Sequence, residues 1–582
     1  MLQLILALLI YLAMVIPVGE YLYHIIAGKH TFADPVLDRV DRAIYKVGGI
    51  NTQKQMDWKQ YAGALLLTNG AMMLVSYLVL RLQNLLFFNP NHIGAMGPDL
   101  SFNTIISFMT NTNLQHYAGE SGLSYLSQML VITFMMFVSA ASGYAVCAAF
   151  IRGLTGHPKV SVGNFYVDLV RITTRILIPF SIVGGLLLVW QGVPQNLSGN
   201  IVVDTLEGTK QVIASGPVAA LEIIKHLGTN GGGFLGANSA TPIENPTVLT
   251  NLIEMHSMML LPGACVIAFG KMARDGRHRR AADSVLPLQR KSWTAKFFGR
   301  EGRSIFLAMS ILFVIGLGLC YWAETQGNPA LAAVGLNQSM GSMEGKEMRF
   351  GVTLSSLFTT VTTSFITGTV NNMHDTLTPL GGLVPMLHMM LNVVFGGKGV
   401  GLMNMILYAI LAVFICGLMV GRTPEYLGKK IEGREMKLTA LCIIIHPLLI
   451  LAFSALAIGT SAGQAGITNE GFHGLSQILY EFASSAANNG SGFEGLADNT
   501  LFWNITTGLV MFFGRYLSIV IQLAIVGSLM KKRYVNESAG TLQTSTVSFA
   551  VILVFIVYIF AALTFFPALA LGPIAEHLTL WG

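Results

Sequence analysis

Ten long apolar stretches constrain this chain more than any other feature of its sequence. A helix that crosses a bilayer needs about 20 predominantly apolar residues. In lipid, a chain satisfies its own backbone hydrogen bonds only as a helix or a closed barrel. Only 11% of the 582 residues are charged and 53% are hydrophobic, whereas soluble domains carry about 25% charged residues. The predicted spans are Met1–Val18, Tyr61–Leu80, Leu123–Ile151, Ile176–Trp190, Met255–Gly270, Ser304–Ala323, Leu402–Val420, Leu438–Ile458, Phe502–Leu529 and Val547–Leu569.

Four shorter apolar segments lie between these spans, and each leads into a stretch rich in glycine, asparagine or threonine. The segments are Phe102–Thr110, Pro217–Leu227, Leu354–Ile366 and Leu475–Ala487. The stretches that follow include Thr110–Asn113, Gly228–Ser239, Thr367–Thr369 and Asn488–Ser491. Short hydrophobic segments interrupted by glycine, at corresponding positions of repeated units, point to a transport site. We predict half-helices that end at irregular backbone, which a membrane protein tolerates only where protein buries it or where it lines a cavity.

The order of the segments predicts an all-α polytopic membrane protein with about ten transmembrane helices. Four pseudo-symmetric units each contain a span, a half-helix, a loop and a second span, and one extra span lies at each end. With Asn111, Gly231, Gly368 and Gly490 taken as equivalent, the units repeat after 120, 137 and 122 residues. The first span is predicted at 1–27 and the last span at 546–572. The four units with their filter loops are predicted at 61–151, 172–272, 304–420 and 438–530, and the third unit also holds a gate.

The basic residues indicate how the chain is oriented. The segments assigned to the cytoplasm are 28–60, 152–175, 271–303, 421–437 and 531–533, and they hold 28 of the 35 Lys and Arg residues. By the positive-inside rule, both termini and all four loops then face outward. We therefore attribute the net charge of +6 to the orientation of the chain in the membrane and not to nucleic-acid binding. The expected location is a bacterial inner membrane, with anionic lipid as a partner of the basic segments.

Backbone carbonyls in the four loops could replace the hydration shell of an ion, as they do in potassium filters. No charged side chain lies within the loops, so a monovalent, easily dehydrated cation fits better than Mg²⁺, which keeps its waters. Potassium is the expected ligand, although sodium meets the same conditions. The alternative is that the glycines only let helices pack closely. The predicted filter residues are Thr110, Asn111, Thr112, Asn230, Gly231, Gly232, Thr367, Gly368, Asn489 and Gly490.

Three further features lie close to these loops in the sequence or interrupt a span. Gln115 follows the first loop, and its amide could take the place of water around an ion. Gly397, Lys398 and Gly399 interrupt the second span of unit three, and we predict a gate there, the alternative being two short spans joined by a loop that reaches water. Arg515 interrupts the last unit's second span. An intramembrane arginine is a functional hypothesis by default, with snorkelling to the interface as the alternative.

Several kinds of site are missing from the sequence. It contains no Asp-Lys-Thr-Gly phosphorylation sequence, no phosphate-binding loop and no clustered metal-binding motif. Its five cysteines are scattered through apolar stretches without a Cys-x-x-Cys pair, so neither a disulfide framework nor a zinc site is expected. We therefore expect no enzymatic activity from the chain alone, and no cofactor other than the transported potassium ion.

Several motifs resemble the A subunit of the bacterial potassium-transporting Kdp ATPase, within the superfamily of potassium transporters. They run from one end of the chain to the other. They are Met56–Tyr61, Ser107–Asn113, Leu227–Phe234, Glu244–Thr247, Met343–Glu347, Gly421–Lys430, Ala486–Ser491 and Phe566–Pro573. The chain departs from the family pattern at Ile366-Thr367, where Ser-Cys is expected, and at Lys398, where an uncharged residue is expected.

The resemblance implies a channel-like subunit that takes up external potassium and passes it through an intramembrane tunnel to a P-type ATPase B subunit. A C subunit and a small F subunit would complete the complex. It also implies that Asn111, Gly231, Gly368 and Gly490 are filter positions and that Gln115 lies near the filter. Two alternatives remain: an autonomous potassium channel or ion-coupled symporter, and a membrane enzyme that acts on lipids. The last would need convergent acids, histidines or metal ligands, which the sequence does not display.

Overall fold

The computed structural model describes residues 2–156, 161–282, 293–419, 421–535 and 541–582. Within these ranges, ten helical segments are long and apolar enough to cross a membrane, which confirms the predicted all-α, multi-span fold. Each contains one predicted span or most of it. The division into four pseudo-symmetric units stays a prediction. The ten segments are Leu2–Ile26, Trp58–Leu85, Tyr125–Thr155, Phe165–Trp190, Val248–Gly276, Arg300–Ala333, Gly397–Met419, Gly433–Ile458, Leu501–Leu529 and Val547–Trp581.

Some of these segments change their helical type along their length. The α-helices within them are Leu2–Ile26, Trp58–Leu82, Tyr125–Ser127, Phe134–Thr155, Phe165–Ile172, Ile178–Trp190, Val248–Ala282, Arg300–Thr325, Pro329–Ala333, Val400–Met419, Gly433–Ile458, Leu501–Leu529, Val547–Leu569 and Ala575–Trp581. The π-helical turns are Gln128–Thr133, Thr173–Leu177 and Ala570–Ile574. Single π-turns of this kind occur frequently at functional sites.

Four shorter helices confirm the predicted half-helices, and we number them half-helix 1 to 4. They are Pro98–Met109, Val218–Gly228, Gly351–Ser364 and Gly471–Ala487. The longest has 17 residues, or about 26 Å at 1.5 Å per residue, which is short of the roughly 30 Å hydrocarbon core. Each packs against two neighbouring spans; half-helix 2, for example, lies between Ile178–Trp190 and Val248–Ala282.

The second span of unit three is broken, as the sequence predicts. One helix, Pro379–Leu391, ends at Asn392, and the next, Val400–Met419, begins after a 3₁₀ turn at Gly397–Gly399. Between them Asn392, Phe395 and Lys398 have positive φ angles of 49°, 60° and 45°. Such angles are uncommon outside glycine, so the surrounding packing holds this backbone in an unusual conformation.

Smaller elements complete the chain. An amphipathic helix, Asp34–Val47, lies within the segment 28–60, for which only a basic cytoplasmic segment was predicted. The Arg175 guanidinium binds Asp34, Asp38 and Asp41 along one face of this helix. Two antiparallel hairpins pair Ile201–Asp204 with Lys210–Ile213 and Glu425–Tyr426 with Lys429–Lys430. The remaining short helices are Gln83–Leu85, Gly119–Gly122, Trp293–Phe298, His374–Thr376 and Ser461–Gln464.

Parts of the predicted topology lie outside the described residues. Met1 and Val420 are limits of predicted spans there, and Lys159, Arg290 and Lys291 are basic residues of predicted cytoplasmic segments. The apolar core occupies the interior between the spans, and the five cysteines are free thiols, four of them buried.

Candidate ion-binding site

Each half-helix ends in the same way, and this ending sets the register of the four loops. We number the loops 1 to 4 after the half-helices that they follow. In every loop, a backbone N–H donates to the carbonyl five residues earlier. The donors are Thr112, Asn230, Thr367 and Asn489, at 2.9, 3.0, 2.8 and 2.9 Å. The residue before each donor is left-handed, as at many helix C-termini. These residues are Asn111, Thr229, Ile366 and Asn488, with φ angles of 66°, 51°, 45° and 58°.

This register corrects the sequence-based alignment of the loops. Because Thr112 and Asn230 make the same hydrogen bond, Gly231 corresponds to Asn113. The pairing of Asn111 with Gly231 is therefore wrong by two residues. The sequence pattern does not reveal where half-helix 1 stops, and Thr110 adds one more residue in α conformation after it. Two rows of equivalent residues result: the deepest row is Asn111, Thr229, Ile366 and Asn488, and the outer row is Asn113, Gly231, Gly368 and Gly490. The sequence-based list of filter residues lacks Asn113, Thr229, Ile366 and Asn488.

Three glycines of the outer row meet at the centre of the four loops. A Cβ built on Gly231 would lie 2.8 Å from the Cα of Gly490, and one built on Gly368 would lie 2.9 Å from the Cα of Gly231. The Gly231 Cβ would also lie 2.7 Å from the Thr112 carbonyl oxygen. Real Cβ atoms do not approach this closely, so the convergence requires glycine. The loops thus present backbone rather than side chains to one another.

Four asparagine side chains connect the loops into a closed ring. Asn111 Nδ2 donates to the carbonyl of Thr229, at 2.8 Å, and joins loops 1 and 2. Asn238 Nδ2 donates to the Gly368 carbonyl, at 2.9 Å, and joins loops 2 and 3. Asn489 Nδ2 donates to the Thr362 carbonyl, at 3.0 Å, and joins loop 4 to half-helix 3. Asn488 Nδ2 donates to Thr112 Oγ1, also at 3.0 Å, and joins loop 4 to loop 1. Each loop is therefore tied to both of its neighbours.

The chemistry around this ring is neutral but strongly dipolar. The predicted residues Thr110, Asn111, Thr112, Asn230, Thr367 and Asn489 are all fully buried. Four helix C-termini end at the ring, and each carries roughly half a negative charge from its macrodipole. Such a site suits a cation that carbonyl oxygens can coordinate without charged ligands. All ten predicted filter residues lie in these four loops.

Gln115 binds the second loop through both ends of its amide. Its Oε1 accepts from the Gly233 N–H at 2.8 Å, and its Nε2 donates to the Gly233 carbonyl at 3.2 Å. A Cβ on Gly232 would lie 3.1 Å from the same amide. Gln115 therefore holds loop 1 and loop 2 together, and its polar atoms are engaged with protein rather than free to face an ion.

The predicted gate residues cover the inner end of the ring. Lys398 Nζ donates to the carbonyls of Asn488 and Asn111, at 2.8 and 3.3 Å, which lie in the deepest row. A Cβ on Gly397 would lie 2.7 Å from the Ile366 carbonyl oxygen and 2.6 Å from Thr229 Oγ1. The broken span thus touches all four loops from below.

Arg515 lies beside Lys398, and both are buried. A Cβ on Gly143 would lie 2.7 Å from Arg515 Nη2 and 2.8 Å from the Lys398 Cβ. Arg515 also lines a cavity of about 50 Å³ with Asn392, Asn404 and His446. That space holds roughly three to five waters. Two basic side chains and a small cavity therefore lie beneath the ring, and Arg515 does not snorkel to an interface.

A charged network borders loop 1 on the side of the ring opposite Lys398 and Arg515. His116 Nδ1 lies 2.7 Å from Asn504 Oδ1, and Nε2 lies 3.3 Å from Glu481 Oε1 and 3.7 Å from Asp498 Oδ2. Burial opposes the charge on His116, but Asp498 and Glu481 outweigh it and raise the pKa of the imidazole to about 9. His116 is thus an imidazolium at neutral pH that holds two acidic side chains next to the loops.

Comparison with known proteins identifies the family. The model of the family described as potassium-transporting ATPase A subunit, KdpA, matches residues 5–578. The chain belongs to this family. Three relatives named potassium-transporting ATPase potassium-binding subunit come from Clostridium acetobutylicum, Staphylococcus haemolyticus and Geobacillus kaustophilus. They are 56%, 52% and 52% identical, and the alignments cover 100%, 99% and 98% of this chain and 100%, 100% and 98% of the relatives.

KdpA membership extends over nearly the whole chain, so the resemblance drawn from the sequence motifs is confirmed. Among solved structures, the potassium transporter TrkH from Vibrio parahaemolyticus aligns with a TM-score of 0.47 at 13% sequence identity. That alignment covers 76% of this chain and 83% of the TrkH chain.

Proposed function

We propose that this chain is the potassium-binding and translocating subunit of an ATP-driven, high-affinity potassium uptake complex. The observation that carries the proposal is the closed ring of four buried, uncharged loops at which four helix C-termini meet. Membership of KdpA and relatives named as potassium-binding subunits support potassium as the ion. Extracellular or periplasmic potassium would enter the ring from the side of the His116 network.

Selectivity in this proposal comes from backbone carbonyls held at fixed positions. The ion exchanges its water shell for carbonyl oxygens, and the asparagine ties between the loops keep these oxygens from relaxing around a smaller ion. Asn113, Gly231, Gly368 and Gly490 form the outer row, where glycine lets the backbones approach most closely. A neutral ring also offers little to Mg²⁺, which dehydrates reluctantly.

The ion leaves the ring sideways because the direct route inward is covered. Lys398 donates to two carbonyls of the deepest row, and Arg515 lies next to it, so a cation moving straight down would meet two basic side chains. The small cavity beside Arg515 lies between the spans and offers the start of a lateral path. We propose that Gly397–Gly399 is the gate and that this path leads to a partner P-type ATPase.

The chain contributes no hydrolysis of its own in this proposal. It lacks a phosphorylation sequence and a phosphate-binding loop, so ATP would be consumed by the B subunit, with C and F subunits completing the complex. The basic segments support an orientation in a bacterial inner membrane with both termini outside.

Growth at limiting potassium tests the proposal directly. The chain is expressed with and without the P-type ATPase and its small subunits in a bacterium that lacks other potassium uptake systems, on micromolar potassium. We expect growth only when the whole complex is present, and none when the ATPase carries a phosphorylation-site substitution. Growth with this chain alone would contradict the pump-subunit function and favour an autonomous channel or symporter.

A further inference from the structure

A cluster of ionisable side chains lies buried behind loop 2, apart from the ring. Glu222 and His226 stand one turn apart on half-helix 2, and Glu254 faces them from the next span. All three are fully buried. One ligand-type atom from each residue lies within 4.8 Å of the others. The sequence does not reveal this cluster, because Glu254 is 28 residues beyond His226 and reaches it only through the fold.

The buried charges around this cluster do not balance. Glu222, Glu244 and Glu254 are each fully buried, and the buried Lys225 Nζ lies 2.8 Å from Glu222. Arg349 is partly exposed, lies 3.9 Å from Glu347 and donates to the Pro246 backbone carbonyl. Its guanidinium also interacts electrostatically with Glu254. The fully buried groups are therefore three carboxylates against one basic side chain, and Arg349 adds a further positive charge from the edge of the cluster. An uncompensated buried charge is costly, so bound protons or a bound cation must neutralise the excess negative charge.

The hydrogen bonds of His226 favour the cation. Its Nδ1 lies 2.6 Å from the Glu222 backbone carbonyl, which can only accept, so Nδ1 carries the proton. In the neutral imidazole Nε2 then presents a lone pair, and it has no hydrogen-bond partner among the residues that the structure describes. Metal-ligating histidines characteristically donate the other ring N–H to a carbonyl or carboxylate in this way.

Glu254 completes the arrangement. Within the described part of the chain, neither of its carboxylate oxygens has a hydrogen-bond partner, although both are buried. Oε2 lies 3.6 Å from His226 Nε2, which is too long for a hydrogen bond. Two ligands about 2.1 Å from one tetrahedral metal ion lie about 3.4 Å apart. On Glu222, Lys225 and Ser239 already bind the carboxylate, in the manner of the outer hydrogen bonds that hold metal-ligating carboxylates.

We propose that Glu222, His226 and Glu254 form a structural site for a divalent transition-metal ion, of the Zn²⁺ or Mn²⁺ class. One imidazole nitrogen and two carboxylates are a ligand set that these ions accept. The ion neutralises the buried network and fastens half-helix 2 to the span Val248–Ala282, and through Ser239 and Glu244 it supports loop 2. The site is separate from the potassium ring and does not depend on potassium being the transported ion.

The metal content of the purified protein tests the proposal. The full chain, in its complex, is purified without chelator and analysed by inductively coupled plasma mass spectrometry, alongside Glu254→Gln and His226→Gln. We expect about one divalent transition-metal ion per chain in the wild type, and a loss of at least about fivefold in both variants. His388→Gln is the matched control, because His388 is also a buried histidine but binds Ser364 Oγ at 2.9 Å, and it should retain the ion.

A second measurement covers the case in which a variant fails to fold. The wild-type protein is stripped with a chelator, and its thermal midpoint is followed as Zn²⁺, Mn²⁺ or Co²⁺ is added. We expect a lower midpoint after stripping, recovery on addition, and visible absorption bands from bound Co²⁺. Wild-type protein that lacks stoichiometric metal and shows no recovery would overturn the proposal in favour of bound protons. Equal metal in wild type and Glu254→Gln would mean adventitious binding and would overturn it too.

Discussion

Gly231→Ala is the substitution that tests the ring most cleanly. The φ angle of Gly231 lies outside the left-handed region, so alanine can adopt its backbone conformation and only the added methyl group matters. That methyl would lie 2.7 Å from the Thr112 carbonyl oxygen, 2.8 Å from the Asn489 carbonyl oxygen and 2.8 Å from Gly490 Cα. These are backbone atoms of two other loops, which cannot rotate away as a side chain could.

The size of the effect follows from this geometry. Forcing one extra methyl into a well-packed site costs about 1–3 kcal/mol. If the loops move apart to receive it, the cost falls on the ion-bound arrangement, and a tenfold change in affinity corresponds to about 1.4 kcal/mol. We therefore expect the potassium concentration for half-maximal activity to rise roughly 5- to 150-fold. Gly231→Asp adds a buried charge as well and should also weaken discrimination against other cations.

The assay is potassium-stimulated ATPase activity of the purified complex, titrated with potassium, rubidium and sodium. Gly185→Ala is the matched control. Gly185 lies on the helix beside half-helix 2, and a Cβ there would meet only Ile223 Cγ2, at an ordinary 3.5 Å. That control should keep the wild-type half-saturation. An unchanged potassium titration for Gly231→Ala, in protein that still assembles, would refute the assignment of Gly231 to the ion site.

Three further predictions address the surroundings of the ring. Gln115→Leu removes two hydrogen bonds to Gly233, each worth about 0.5–1.5 kcal/mol, and should raise the half-saturating potassium concentration in the same assay; wild-type values would contradict a positioning role. Lys398→Met removes the ammonium from the deepest carbonyls and should permit ATP-independent rubidium leak into proteoliposomes, whereas a tight variant would contradict the gate. Because the pKa of His116 is raised to about 9, its stabilisation is complete below about pH 6.5 and is lost as the pH rises through 9. The thermal midpoint of the wild type should therefore fall over this interval more than that of His116→Gln, and equal slopes would contradict it.

Local pattern was sufficient to predict the spans and half-helices from the sequence. Length and hydropathy decide where a helix can cross a bilayer, and the span Val547–Leu569 has both predicted bounds. The break at Gly396–Gly401 was also readable, because glycines around a lysine disfavour a continuous intramembrane helix. The helix Asp34–Val47 was missed, although Asp34, Asp38 and Asp41 recur at helical spacing on one face. Its stabilising partner, Arg175, is distant in sequence and could not be foreseen.

The register of the loops and the ties between them needed the fold. Half-helix 1 ends at Met109 and Thr110 keeps an α conformation after it, but no residue pattern near Thr110 marks that point. The partners of Asn111 and Asn238 lie 118 and 130 residues away. The same holds for His226 and Glu254, which lie on different helices. Sequence therefore predicts which stretches form the ring, whereas long-range contacts decide which atoms face each other.

The four loops differ in sequence, but their inequality at the ion site comes from hydrogen bonding. Asn113 stands where the other loops have glycine, yet its Oδ1 accepts from Asn230 Nδ2 at 2.9 Å, so the side chain is tied to loop 2. A carbonyl oxygen has two lone pairs. The Thr112 carbonyl already accepts from the Gly231 N–H at 3.2 Å, and the Gly368 carbonyl accepts from Asn238. These two oxygens have less capacity left for an ion, so we expect the ion to sit off-centre even though backbone faces it from every loop.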